Sequence, residues 1–237
     1  MSLPKLNDTP MYTLSVPSTG AKVRYRPYLV KEEKVLMMAY ESQDIKNVLT
    51  AVVDTIESCL EEGHAIDISK LTTFDVEYMF TRIRSKSVGE VSKINIKCGP
   101  CKALNEYSID LDDVEIEVDN SRKMIEMAEG IFIEMCWPSY SDFIEKDINE
   151  DDQNLDMLFN LITENIVAIH YKEERINASD RTKEELMEFV TNLTSTQFQK
   201  LAKFFEEMPS MKKDIEFNCI KCGEKNEMML RGMSDFF

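Results

Sequence analysis

Ile94-Asn-Ile-Lys-Cys98-Gly-Pro-Cys101 and Ile215-Glu-Phe-Asn-Cys219-Ile-Lys-Cys222 are the stretches that decide the fold of this chain. In each, apolar and polar residues alternate: Ile94 and Ile96 in the first, Ile215 and Phe217 in the second. That is the period of a strand with one buried face. Each strand delivers two cysteines with a two-residue spacer, and polar turn residues and a second extended run follow. A strand, a two-cysteine knuckle and a returning strand make half of a zinc ribbon. Residues 102–218 separate the two halves, a gap wider than the usual ribbon spacing. Brought together, the halves offer four thiolates, the donor set of a tetrahedral zinc site. Cys98, Cys101, Cys219 and Cys222 are therefore the expected ligands of a Zn2+ that clasps the middle of the chain to its end. Four sulfurs leave no open position for water, so the expected metal is structural rather than catalytic.

Two other readings of the cysteines compete. Free surface thiols are one. A thioredoxin-like redox site at Cys98-Gly-Pro-Cys101 is the other, but that site sits between a strand and a helix. Here a polar turn and another strand follow. Cys59, on an apolar helical face, and Cys136, in a strand, are expected as small core hydrophobes.

Composition narrows the class. The 237 residues are 43% hydrophobic, enough for a sizeable core. Six cysteines are few for a disulfide scaffold of this length, and their pairing favours metal binding in a reducing cytosol. The opening stretch 1–10 is polar and proline-broken, so secretion is not expected, and no apolar run approaches a membrane span. The net charge is −16. A chain this acidic repels its own copies at low salt and suits basic or amphipathic protein partners better than phosphate backbones.

Along the chain, residues 1–28 read as an extended arm or hairpin, with Tyr12, Leu14 and Val16 alternating before a Ser18-Thr-Gly20 turn. Residues 29–90 read as helical. One helix begins near Lys31. A second carries Ile45, Val48, Leu49, Val52, Ile56 and Cys59 on one face, with Asp44 as N-cap and Gly63 as stop. A third starts near Thr73, with acid first, Arg82, Arg84 and Lys86 last, and Gly89 after. Residues 91–137 return to a two-residue period: the first knuckle, Ile116 and Val118 extending the pattern, then a hairpin turning at Glu129-Gly130. Trp137-Pro138 stops it, with a short helix at Ser141 to Ile144 and an acidic loop over 145–152. Residues 138–212 are otherwise helical: Leu155, Leu158, Phe159, Ile162, Ile166 and Ile169 form one face, and capping boxes start helices at Thr182 and Thr194. Residues 213–237 hold the second knuckle and a tail ending in Phe236-Phe237, aromatics expected to be docked. The expected fold is α+β, a single compact domain over 1–237: a helical body with a small antiparallel sheet containing the split four-cysteine ribbon.

Nothing else carries a chemical signature. His64 and His170 lack metal-type partners at useful spacing, and there is no phosphate-binding glycine loop, His-Glu-x-x-His or nucleophile elbow. No catalytic residue is expected. The Arg82, Arg84, Lys86 cluster reads as a helix-end salt-bridge surface rather than a nucleic-acid contact. Among fifteen methionines, Met37-Met38, Met208, Met211, Met228-Met229 and Met233 are candidates for an adaptable surface, though core filling accounts for about half.

Several stretches together carry a family resemblance. Pro17-Ser-Thr-Gly20, Tyr25-Arg-Pro27 and Lys31-Glu-Glu-Lys34 come first, then Leu71-Thr-Thr-Phe-Asp-Val-Glu-Tyr78 and Arg82-Ile-Arg-Ser-Lys-Ser-Val-Gly89. The two knuckles, Phe198 to Pro209 and the closing Asp-Phe-Phe complete the order. Over nearly its whole length the chain resembles the baseplate hub assembly family of T-even-like contractile-tailed phages, which includes both an assembly factor and a hub component. The resemblance implies a late viral protein of the host cytoplasm, or of the virion baseplate if retained. It would act by binding hub proteins or the tape measure protein, without catalysis, nucleic acid or a membrane span. A nucleic-acid-binding ribbon and a zinc or thiol enzyme are the alternatives from other classes.

Overall fold

A computed structural model describes residues 9–119, 123–145 and 155–236. It is α+β, with helices and several small antiparallel sheets. By its contacts the chain divides into two units, residues 1–117 with 210–237, and residues 118–209.

The first unit opens with a hairpin, β1 (Tyr12–Ser15) and β2 (Lys22–Tyr25). Helices α1 (Val30–Ser42), α2 (Ile45–Cys59) and α3 (Thr73–Val88) follow. Local chemistry sets their ends. Asp44 caps α2 by accepting from the Lys46 and Asn47 N–H groups. Thr72 and Asp75 form a capping box at the start of α3. Gly89, at φ 135°, ends that helix in a conformation closed to other residues. Asp75 is fully buried and also accepts from the Ser18 N–H at 2.8 Å, so the cap of α3 holds the turn of the first hairpin. Val52, Ile56, Cys59, Met79 and Ile83 are all 0% exposed and form the centre of the helical layer.

The ribbon comes next. β3 (Val91–Lys97) pairs with β4 (Leu104–Asp110), and β9 (Lys212–Asn218) with β10 (Lys225–Arg231). These are two separate two-stranded ladders, not one sheet. Side chains join them: Ile96, Ile109, Leu111 and Val114 from the first pack with Met211, Ile215, Leu230 and Phe236 from the second in one buried cluster. Phe236 is 0% exposed, and its carbonyl accepts from the Ser92 hydroxyl at 2.6 Å, so this tail aromatic is docked as expected; Phe237 lies outside the described residues. Ile116 and Val118 do not extend the strand pattern; Glu115 alone bridges to Lys212.

The second unit holds a four-stranded antiparallel sheet in the order β5 (Met124–Ala128), β6 (Ile131–Met135), β7 (Ile166–Tyr171), β8 (Glu174–Asn177). Ile125, Ile133, Ile169 and Ile176 stand opposite one another across all four strands. The helices are α4 (Tyr140–Glu145), α5 (Leu155–Glu164), α6 (Lys183–Thr191) and α7 (Ser195–Glu206), the last two entered through the expected capping boxes. The helical face expected to run from Leu155 to Ile169 is cut in two. Helix α5 ends at Glu164, and Ile166 begins a strand. Asn165 makes the break: its amide donates to the Leu161 carbonyl, and its own carbonyl accepts from the Cys136 N–H. The acidic loop expected over 145–152 falls, after Glu145, outside the described residues.

Candidate metal centre

The four knuckle cysteines converge. One sulfur from each lies within 4.8 Å of all the others. Cys98 Sγ is 3.7 Å from Cys222 Sγ, and Cys101 Sγ is 3.5 Å from Cys219 Sγ. Both contacts run between hairpins and are far longer than a disulfide bond of about 2.05 Å. A tetrahedron of about 2.3 Å metal–sulfur bonds has edges of about 3.8 Å. The spacing therefore fits a four-sulfur metal site. Cys98 and Cys219 are buried, Cys101 is half-buried and Cys222 is exposed, so the centre lies at one edge of the ribbon.

The backbone builds the two knuckles identically. The strand register runs Lys97 to Leu104 in one and Asn218 to Lys225 in the other, a constant offset of 121 residues. The Cys98 N–H donates to the Ala103 carbonyl and the Cys219 N–H to the Glu224 carbonyl, both at 2.9 Å. The Lys102 and Gly223 N–H groups return to the Cys98 and Cys219 carbonyls. Lys102 and Gly223 hold the same left-handed backbone, with φ 58° and 75°.

Two asparagines, not singled out from the sequence, tie the knuckles together. Asn105 Oδ1 accepts from the Ile220 N–H at 2.8 Å, and Asn226 Oδ1 accepts from the Gly99 N–H at 2.9 Å. Their amides donate to Ala103 and Glu224 carbonyls at 2.9 Å. Asn226 also donates to Cys98 Sγ at 3.5 Å, and the Lys221 N–H donates to Cys219 Sγ at 3.4 Å. Such donors around the four sulfurs orient them and spread their charge. The signal was legible: both halves read Cys-x-x-Cys-x-x-x-Asn.

Electrostatics shows what the cluster demands. The backbone N–H of Cys222 favours a Cys219 thiolate; although burial opposes it, the Lys221 N–H and the Cys101 and Cys222 thiols help bring Cys219 down to about 6. Cys222 goes the other way. The Glu224 N–H favours its thiolate, but hydrogen bonding with Cys101, burial, and the Cys219 and Cys98 sulfurs outweigh it, pushing it up to about 12. Neighbouring thiols this close cannot all ionise unless a cation offsets their charge. A divalent metal that favours sulfur satisfies that requirement.

The remaining expected positions divide cleanly. Cys59 is fully buried, its thiol pushed up to about 11 by burial; Cys136 is half-buried and donates to the Asn165 carbonyl. Neither belongs to the four-cysteine group. His64 meets the Ile66 carbonyl, and His170 meets Glu134 at 3.1 Å. Arg82 donates to the carbonyls of Asp112 and Val114, and Lys86 to Asp112 and Glu90. Those two cations brace the turn that follows β4. Glu77, also on α3, takes the Met233 N–H in the corresponding turn after β10.

No helix among the described residues is long and apolar enough to cross a membrane. Comparison with known proteins gives a match to one family model, described as T4 bacteriophage base plate protein, over residues 9–237. No curated protein and no solved structure matches the chain. With a match that takes in both knuckles and everything between them, the chain belongs to the T4 bacteriophage base plate protein family.

Proposed function

We propose that this phage baseplate protein is an assembly factor for the baseplate hub. It would act by binding hub proteins or the tape measure protein in the host cytoplasm, not by catalysis. The observation that carries the reading is the family match over almost the whole chain, together with a four-thiol centre built into the fold. In this reading Cys98, Cys101, Cys219 and Cys222 hold a structural Zn2+, whose role is to join two segments 121 residues apart in register. Asn105 and Asn226 position the two halves before and after the metal arrives.

A family described by the baseplate itself also favours a second reading, a hub subunit retained in the virion. One experiment separates them: tagged capture from infected cells with mass spectrometry, and a parallel search for the protein in purified particles. Hub or tape measure proteins in the capture, with none of this chain in virions, support an assembly factor that dissociates. Presence in both supports a subunit. Capture of nucleic acid or metabolic enzymes without tail proteins refutes both. For the metal, Cys98→Ser and Cys222→Ser are expected to lower solubility and assembly activity together. Wild-type stability in a strong chelator, with no metal detected by elemental analysis, would sink the zinc assignment.

A further inference from the structure

Helix α1 buries only Glu32 and Leu36. Its opposite face carries large apolar side chains into solvent: Val30 is 79% exposed, Met37 61% and Met38 60%, with Val35 and Tyr40 about half exposed on its flanks. Lys34 and Glu41 lie on the same face, both exposed, and neither has an ion-pair partner among the described residues. An apolar stripe of this kind on a soluble protein marks an interaction surface.

The order of residues on that face states what fits it. Read outward from the point between Met37 and Met38, the helix is self-complementary. Met37 mirrors Met38, Val35 mirrors Tyr40, and Lys34 mirrors Glu41. At the two ends, Val30 mirrors Ile45, which is 72% exposed just past the bend at Gln43. Two such helices laid antiparallel about a two-fold axis at that point bring apolar groups against apolar groups. Each Lys34 then faces the other copy's Glu41, twice by symmetry. A two-fold interface requires such a self-complementary patch. We infer that α1 is the homodimer interface of this protein, an antiparallel helix pair centred on Met37 and Met38.

The net charge of −16 opposes association, but it acts over distance and is screened beyond about 8 Å at physiological salt. The Lys34–Glu41 pairs act at contact. Unbranched methionine side chains suit the centre of such a pair because they adapt to each other's shape.

The test is the mass of the full-length protein by light scattering after size exclusion, at tens of micromolar and physiological salt. The expected mass is twice 27.5 kDa. Lys34→Glu and Glu41→Lys should each shift the protein to monomer, and the double exchange Lys34→Glu/Glu41→Lys should restore the dimer. The two single variants change net charge in opposite directions, so a response to overall charge would weaken one and strengthen the other. Circular dichroism on each variant confirms that it is folded. A monomeric wild type overturns the proposal. So does a dimer that ignores both exchanges, or a double variant that stays monomeric while folded.

Discussion

Asn105 and Asn226 make the same pair of hydrogen bonds, each reaching across to the N–H that follows the first cysteine of the other's knuckle. Asn105 is 3% exposed and Asn226 is half-buried. Replacing either with alanine strands one backbone donor, which in a buried setting costs about 1–3 kcal/mol. We predict that Asn105→Ala loses more stability than Asn226→Ala, and that both weaken zinc retention against a chromophoric chelator. Unchanged denaturation midpoints in both would remove the clamp from the account.

Lys102 and Gly223 occupy equivalent left-handed positions, but only one is a glycine. A side chain there costs about 1–2 kcal/mol, and glycine's extra freedom in the unfolded chain takes back about 0.5–1 kcal/mol. Lys102→Gly should therefore stabilise the protein by roughly 0.5–1 kcal/mol, and Gly223→Ala should destabilise it by a similar amount. No atom lies within 4 Å of a β-carbon added at Gly223, so steric clash does not complicate the comparison. Thermal unfolding of the two variants beside wild type decides the matter; shifts of the same sign would refute it.

Asp112 is partly buried, which by itself raises its pKa, but hydrogen bonds from Lys86 and Ser85 outweigh that and hold it below its ordinary value of 3.8. A depressed carboxylate stabilises the fold above its unfolded pKa and loses that stabilisation as pH falls through the folded one. The stability gap between wild type and Asp112→Asn should be full at pH 7, begin to close below about pH 4, and vanish at lower pH. Urea midpoints across that range test it. A gap that grew on acidification would contradict the sign.

Phe236 is the second-to-last of the 237 residues yet fully enclosed. Removing a buried phenylalanine side chain costs about 3–5 kcal/mol. Phe236→Ala should bring the ribbon close to unfolding, whereas Met229→Ala, at a position 55% exposed, should change stability by less than about 0.5 kcal/mol. Comparable midpoints for the two would mean that the tail is not docked.

Much of this fold was legible because its signals are local. The spacing of each cysteine pair, the Thr182…Glu185 and Thr194…Gln197 caps, Asp44 before α2 and Gly89 after α3 all lie within a few residues of what they specify. The errors have equally definite causes. Ile162, Ile166 and Ile169 fit a helical period, but Ile166-Val-Ala-Ile-His-Tyr171 is a run that a strand holds as well, and only pairing with Met135 and its neighbours decides between them. The asparagines escape notice because within its own hairpin each is an ordinary polar residue. Their purpose appears only when Gly99 and Ile220 are seen from the opposite knuckle. The basic helix end, by contrast, reads correctly as a salt-bridge surface, with Asp112 and the Val114 carbonyl against it.

The 121-residue offset between the hairpins also sets a schedule for synthesis. Ribosomes add about 5–20 residues per second, so the first cysteine pair leaves the tunnel roughly 6–24 s before the second does. For that interval Ile96, Ile109 and Leu111 have no partners from the second hairpin, and Cys98 and Cys101 are two thiols of an unfinished cluster. The nascent chain must pass through a stage in which an open dithiol and a bare apolar face are both on display.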